Sequence, residues 1–284
     1  MAEPERVTVT VEGGVADVRL NRPDKINALD PAMFAGLRAA AGRVAADPSV
    51  RAVVLSGEGR GFCAGLDLAS LAGTAGTADA AGTADAPAGA GGGDGGVRDL
   101  GRRDAGIANW AQQAAYAWTE LPVPVIAAIH GVALGGGAQI ALAADLRIMA
   151  PDARISILEI RWGLVPDMTG TATLTRLVPL DVAKELTWTG RMVEGEEAVR
   201  LGLATRVSED PRKDALALAT EIAGRNPDAI RAAKRLLNQS GRVPLAQQFI
   251  DESVEMGRLI GSANQAEAVR AWFDRREPVF TDPG

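Results

Sequence analysis

Two hydrophobic periods alternate along the first two thirds of the chain. Val7 to Val11 and Val15 to Leu20 are rich in β-branched residues and flank Glu12-Gly13-Gly14, a pattern that predicts a β-hairpin. Arg51–Ser56, Val123–Ile129, Leu146–Ala150 and Ile155–Leu158 are short apolar runs that predict buried strands, with Pro124 implying an irregular start to the second. Between them lie helical patterns. Asp30 as N-cap with Pro31 at the first helical position opens a helix to about Ala46, and others are predicted over Ala138–Ala143 and Thr169–Leu177.

From about Asp181 onward the pattern is helical alone: Asp181–Thr187, Gly195–Leu201, Arg212–Gly224, Asp228–Asn238, Leu245–Ile260 and Asn264–Arg275. Ser262 with Gln265 fits a capping box before the last of these. Strands alternating with helices indicate an α/β fold. The division expected is a core over residues 1–200 and a helical C-terminal part over 201–284.

Composition narrows the function. Of 284 residues, 47 % are hydrophobic but only 4 % aromatic, so Ala, Val, Leu and Ile must fill the core. A net charge of −6 argues against a nucleic-acid partner, which would need a basic face. The single cysteine, Cys63, excludes an internal disulfide framework and a multi-cysteine metal site. The opening MAEPERVTVT lacks a basic segment followed by an apolar one, and no apolar run approaches the ~20 residues that span a bilayer. A soluble, cytoplasmic protein without a membrane partner is expected. Ala72 to Gly96 has almost no large apolar residue and repeats Gly-Thr-Ala-Asp, so it reads as a disordered insertion, the other option for so long a loop being a lid.

Three glycine-containing turns carry the candidate chemistry. They are Gly59-Arg60-Gly61-Phe62-Cys63-Ala64-Gly65-Leu66-Asp67-Leu68, then His130-Gly131-Val132-Ala133-Leu134-Gly135-Gly136-Gly137-Ala138-Gln139, then Glu159-Ile160-Arg161-Trp162-Gly163-Leu164-Val165-Pro166-Asp167. Glycines at a strand-to-helix turn expose unpaired N–H groups, which suit a phosphate or a developing oxyanion. Neither glycine-rich turn matches a phosphate loop or GxGxxG. Taken singly, either glycine-rich turn reads better as a tight corner that lets helix and strand pack closely.

Together and in this order, the three turns resemble the enoyl-CoA hydratase/isomerase (crotonase) family. Asn21-Arg22-Pro23-Asp24-Lys25-Ile26-Asn27-Ala28-Leu29 and Ala144-Asp145-Leu146-Arg147 add to the resemblance, which runs from about Val7 to the C-terminal helices. It implies a crotonase-like spiral of ββα units whose helical C-terminal part drives a homotrimer or a dimer of trimers. It implies an acyl-CoA thioester substrate, with coenzyme A part of the substrate and no separate cofactor. By position, the N–H groups of Leu66 and Gly136 form the oxyanion hole. Ala64, Leu66, Asp67 and Leu68 grip the adenine end of CoA largely through backbone. Arg22 and Lys25 stand where the family places basic groups near CoA phosphates, with ordinary solvated charges as the other reading. Phe280 resembles an aromatic that contacts the CoA of a neighbouring subunit, though packing accounts for it equally.

The acid–base residues bear on which reaction. Family hydratases use two glutamates. Glu159 occupies the position of the second, but Gln139 stands at the first and cannot transfer a proton as a carboxylate does. Family isomerases that shift a 3-enoyl to a 2-enoyl double bond work with the single glutamate. Asp167 matches an aspartate of the dienoyl-CoA isomerases, although those enzymes also carry an aspartate where Gln139 stands; a helix N-cap is its alternative role. The residues therefore favour isomerisation over hydration, with Glu159 as proton shuttle, Asp167 as a second group and Gln139 orienting water or substrate. The rival is an acyl-CoA-binding member with weak or lost catalysis. A hydrolase is disfavoured: no GxSxG occurs, and His130 and Cys63 read as structural.

Overall fold

The computed structural model describes residues 5–67, 100–103 and 106–283. Leu68 and the 72–96 insertion lie outside the described residues.

The hairpin forms as the sequence implies, β1 (Val7–Glu12) pairing antiparallel with β2 (Val15–Leu20) across Gly13-Gly14. From there the main sheet grows by parallel addition: β3 (Ala52–Gly57), β4 (Val125–Ile129), β6 (Leu146–Met149) and β9 (Arg206–Val207), in the order β1-β2-β3-β4-β6-β9. A second sheet is built in step with it from β5 (Val132–Leu134), β7 (Arg154–Ser156) and β8 (Val193–Glu194). The chain passes from β4 to β5, returns through a helix to β6 beside β4, and crosses to β7 beside β5. Each circuit therefore advances both sheets by one strand, which is the expected α/β spiral.

The unbroken apolar runs of β3 and β4 follow from burial on both faces. Val53, Leu55, Ala127 and Ile129 face the main core, which also holds Leu37 and Ala40 of α1 (Pro31–Ala46) and Ala114 and Trp118 of α2 (Trp110–Glu120). The alternate residues Val54, Ile126 and Ala128 meet Ala215, Ala219 and Ala223 of α7 (Pro211–Ala223). Small alanines on α7 let the helix approach the sheet closely. The other helices among the described residues are α3 (Gly136–Leu142), α4 (Gly170–Leu177), α5 (Leu180–Thr189), α6 (Gly195–Leu201), α8 (Pro227–Gln239), α9 (Leu245–Leu259) and α10 (Ala263–Asp274).

Several elements differ from the sequence expectation. The stretch after Asp181, read as helices alone, contains the two-residue strands β8 and β9, which are too short to leave an alternation signal. Helix α7, placed by sequence in the C-terminal part, covers one face of the main sheet and belongs with the core. Helix α2 was not predicted. Its signal is a complete capping box in which Asn109 accepts the Gln112 N–H and the Gln112 side chain accepts the Asn109 N–H. At α10 only half of the expected box forms: Ser262 accepts the Gln265 N–H, while the Gln265 side chain accepts the N–H of Gly261.

The C-terminal helices are pinned to the core by one buried ammonium. Lys234 on α8 donates to Val123 O at 2.9 Å and to Asp145 Oδ2 at 2.7 Å, and the same oxygen accepts the Val125 N–H at 2.8 Å. Burial lowers the Lys234 pKa, and the Asp145 charge opposes that shift. Replacing Lys234 with Ala strands a buried carbonyl and a carboxylate at the start of β4. The expected cost is ~1–3 kcal/mol of stability, measured as a lower urea midpoint at unchanged slope.

Candidate functional site

The first two glycine turns follow β3 and β4 of the main sheet, and the third follows β7 of the second sheet. The segment after β3 is held on both sides by backbone. Phe62 and Cys63 donate to His130 O and Val132 O, and Leu134 donates back to Cys63 O. On the other side Ala64 donates to Ile26 O, Leu29 to Gly65 O, and Asp67 to Leu29 O. Within this double-sided strip the Leu66 N–H donates to no group among the described residues.

The second unused donor is nearby. Gly135 turns the chain from β5 into α3 at φ 51° and ψ −120°, a conformation that glycine adopts readily. The Gly135 N–H goes to Ser156 O, but that of Gly136, first in the helix, donates to no group among the described residues. The two turns touch directly. A Cβ placed on Gly65, at φ +85°, would lie 2.5 Å from Leu134 O and 3.7 Å from the Gly136 nitrogen. Leu66 and Gly136, the pair singled out by sequence, thus lie in neighbouring turns, their N–H groups without a partner among the described residues.

Glu159 faces this corner. It opens a short 3-10 turn (Glu159–Trp162) after β7, and a Cβ on Gly135 would sit 3.3 Å from its Oε1. Its Oε1 accepts the Gln139 Nε2–H at 2.6 Å. Its Oε2 is buried with no hydrogen-bond partner among the described residues. Burial is the largest influence on its pKa and raises it; the Asp167 charge raises it further, and backbone and Gln139 hydrogen bonds oppose the shift. The Asp167 side chain is more open to solvent, yet partial desolvation raises its pKa too. Asp167 does not cap α4, whose N-terminus carries no side-chain cap.

Gln139 is fully occupied on its oxygen, which accepts N–H groups from Met168 at 2.8 Å and Gly170 at 2.9 Å. Sequence reasoning missed Met168 and Gly170, because backbone donors leave no residue-type signal. It also missed the part played by Asn27. That buried side chain, at φ +55°, accepts the Arg22 N–H and donates to Glu58, Gly61 and Phe62 carbonyls, so it ties the segment before α1 to the turn after β3.

The CoA-binding candidates divide. Ala64 and Asp67 flank Leu66 in the strip, and Lys25 is exposed beside it. Arg22 departs from expectation. Its guanidinium, 15 % exposed, donates to Asp67 Oδ2 at 2.7 Å and to Ala28 O at 3.2 Å, and lies 3.6 Å from Asp30. Paired inward, it braces the strip instead of offering a free charge to a phosphate. Phe280 is not brought to this corner: its carbonyl accepts from Arg51, just before β3, at the opposite end of that strand from the turn. Cys63 is buried with its pKa pushed up to about 12 by desolvation, and its sulfur donates to Asn27 O, as expected for packing. His130 Nε2 pairs with Gly59 O, in keeping with a structural role.

Comparison with known proteins decides the family. A sequence family described as enoyl-CoA hydratase/isomerase matches residues 15–279. The chain belongs to the enoyl-CoA hydratase/isomerase family. Among relatives, the (E)-benzylidenesuccinyl-CoA hydratase of Thauera aromatica is 32 % identical over 96 % of this chain and 98 % of its own length. The short-chain-enoyl-CoA hydratase of Clostridium acetobutylicum is 30 % identical over 97 % of each. The crystal structure of the Bacillus anthracis enoyl-CoA hydratase superposes with a TM-score of 0.82 at 28 % identity, covering 97 % of this chain and 98 % of that one. The crotonase-like fold inferred from the sequence is the fold observed. Among the described residues no helix is long and apolar enough to cross a membrane.

The buried Glu159 makes a pH prediction about stability. Its folded pKa is raised above the unfolded value, so its favourable contribution is present below the unfolded pKa and is lost as pH rises through the folded one. Glu159→Gln removes that dependence. Denaturant titrations should show wild type losing stability relative to Glu159→Gln as pH rises above about 4.3, the ordinary glutamate value; parallel curves for the two proteins would contradict it.

Proposed function

We propose that the protein acts on an acyl-CoA thioester, holds the enolate oxygen with the Leu66 and Gly136 N–H groups, and moves a proton with Glu159. The observation that supports this reading is a buried carboxyl with one bare oxygen beside two contacting turns with unused donors. Removing the proton at Cα of a 3-enoyl thioester sends charge to the thioester oxygen, where paired N–H groups stabilise it. Glu159 then returns the proton to Cγ, leaving a 2-enoyl thioester. A raised pKa suits a group that must both accept and donate near neutral pH.

Isomerisation is favoured over hydration because Gln139 cannot supply the second carboxylate, even though the relatives reported above are named hydratases. Asp167 is a candidate second proton group, its charge already acting on Glu159. Ala64, Leu66, Asp67, Leu68 and Lys25 are assigned to the CoA moiety, with Arg22 acting through Asp67 and Phe280 serving a neighbouring subunit. No resident cofactor is needed, and a cytoplasmic setting fits the single buried thiol.

The second reading is an acyl-CoA-binding member with little turnover, favoured by the same Gln139. A panel of 2-enoyl-CoA and 3-enoyl-CoA substrates separates the two. Isomerisation of 3-enoyl-CoA, with a ~10²–10⁴-fold loss in Glu159→Gln, is the expected result. Full activity of that variant would remove Glu159 from the mechanism, and binding of CoA esters without turnover of any would favour the second reading. Gln139→Glu should gain hydration of 2-enoyl-CoA, because it restores a second carboxyl.

We also propose that the C-terminal helices assemble a homotrimer or a dimer of trimers. Helix α9 (Leu245–Leu259) has no buried residue, and it exposes Leu245, Phe249, Ile250 and Met256 while α10 exposes Trp272 and Phe273. So much apolar surface is unusual on a monomer. Light scattering should report a multiple of the chain mass for wild type and a single-chain mass for Phe249→Glu/Phe273→Glu.

A further inference from the structure

We infer that Gln139 is a positioning residue for Glu159: two backbone N–H groups orient its amide so that it holds one carboxyl oxygen and leaves the other as the proton-exchanging atom. The inference rests on the proton-shuttle reading of Glu159.

Geometry forces the direction of the amide. Met168 and Gly170 both offer N–H groups to the same atom of Gln139, at 2.8 and 2.9 Å. Only the amide oxygen accepts two such donors, since a flipped amide would set its own N–H groups against them. The nitrogen is thereby turned toward Glu159 Oε1, at 2.6 Å. Oε2 stays buried and unengaged among the described residues. A glutamate at position 139 would accept both backbone N–H groups equally well, but would turn an oxygen toward Glu159. The neutral amide therefore supplies a donor where a carboxylate would supply a second acceptor.

The charged residues on the elements beside Glu159 are Arg161 on its own turn, Asp167 in the following loop, and Asp181, Lys184 and Glu185 on the adjoining α5. Of these, Asp167 is the one whose charge acts on Glu159, and it opposes ionisation. Helix α3 contributes no charge. Gln139 is thus the side chain that stabilises the carboxylate form against burial and Asp167.

Two variants test this. Gln139→Met removes the donor at similar volume. Gly170→Ala keeps the amide but displaces it, since a Cβ there would fall 2.5 Å from Gln139 Oε1, the end of a flexible side chain that can swing aside. The readouts are the pH titration of the Glu159 carboxyl band in infrared difference spectra, assigned by its loss in Glu159→Gln, and kcat and KM for 3-enoyl-CoA isomerisation. In Gln139→Met the titration midpoint should move to higher pH, and kcat should fall ~10²-fold with KM little changed. Gly170→Ala should shift the midpoint the same way. An unchanged midpoint in folded Gln139→Met overturns the inference; if that variant does not fold, an unchanged midpoint in Gly170→Ala does so. Should wild type turn over no enoyl-CoA, the functional reading fails, while the infrared titration still decides the role of Gln139.

Discussion

Backbone packs directly on backbone where the glycine turns meet, and the rest of the site depends on that contact. A Cβ on Gly57 would lie 2.5 Å from Gly61 O, and one on Gly137 would lie 2.6 Å from Cys63 O. Side chains at these places would push the segments apart. Because they are absent, the strip from Phe62 to Asp67 lies between residues 26–29 and β5 and uses its hydrogen bonds on both flanks. Among the described residues, the N–H groups left without a partner include that of Leu66, in the strip, and that of Gly136, where a helix begins. On the proposed reading, these two donors in touching turns await an acceptor that the protein does not itself contain.

Carboxylates near this corner are handled in two ways. Asp30 and Asp67 are braced by Arg6 and Arg22, and Asp145 by Lys234. Those pairs fix the start of α1, the end of the strip and the docking of α8. Among the described residues Glu159 receives no cation, only an amide on one oxygen. Burying an acid without a counter-ion favours its protonated form. The price is some stability above the ordinary glutamate range, a cost that structural packing alone would not select.

Much of this was legible in the sequence, for reasons that differ by element. Strands β1 to β4 and helix α1 carry strong periodic or capping signals, and both oxyanion candidates are marked by glycines whose turn geometry requires them. Glu159 and Asp167 could be singled out by position; Glu159 lies beside Gly135, and Asp167 is near enough for its charge to act on it. The short strands β5, β8 and β9 left no trace, because two or three residues cannot show an alternation. Arg22 misled for a physical reason: a basic residue beside a ligand-facing loop looks the same in sequence whether it faces a phosphate or an internal aspartate. Only the fold reveals Asp67 and Asp30 within its reach.

Gln139 shows most clearly where residue identity stops being enough. Sequence could say that an amide cannot exchange a proton as a carboxylate does. It could not say that both lone pairs of the amide oxygen would be taken by Met168 and Gly170. An oxygen so occupied has no lone pair left for a water, so a water oriented by this side chain has to be held by the second N–H of the amide nitrogen. The same two bonds anchor the residues that follow Asp167. One amide therefore holds Glu159 with its nitrogen and, with its oxygen, the loop that carries the second acid. On the proposed reading, the relative placement of the two acids is set by a side chain that itself transfers no proton.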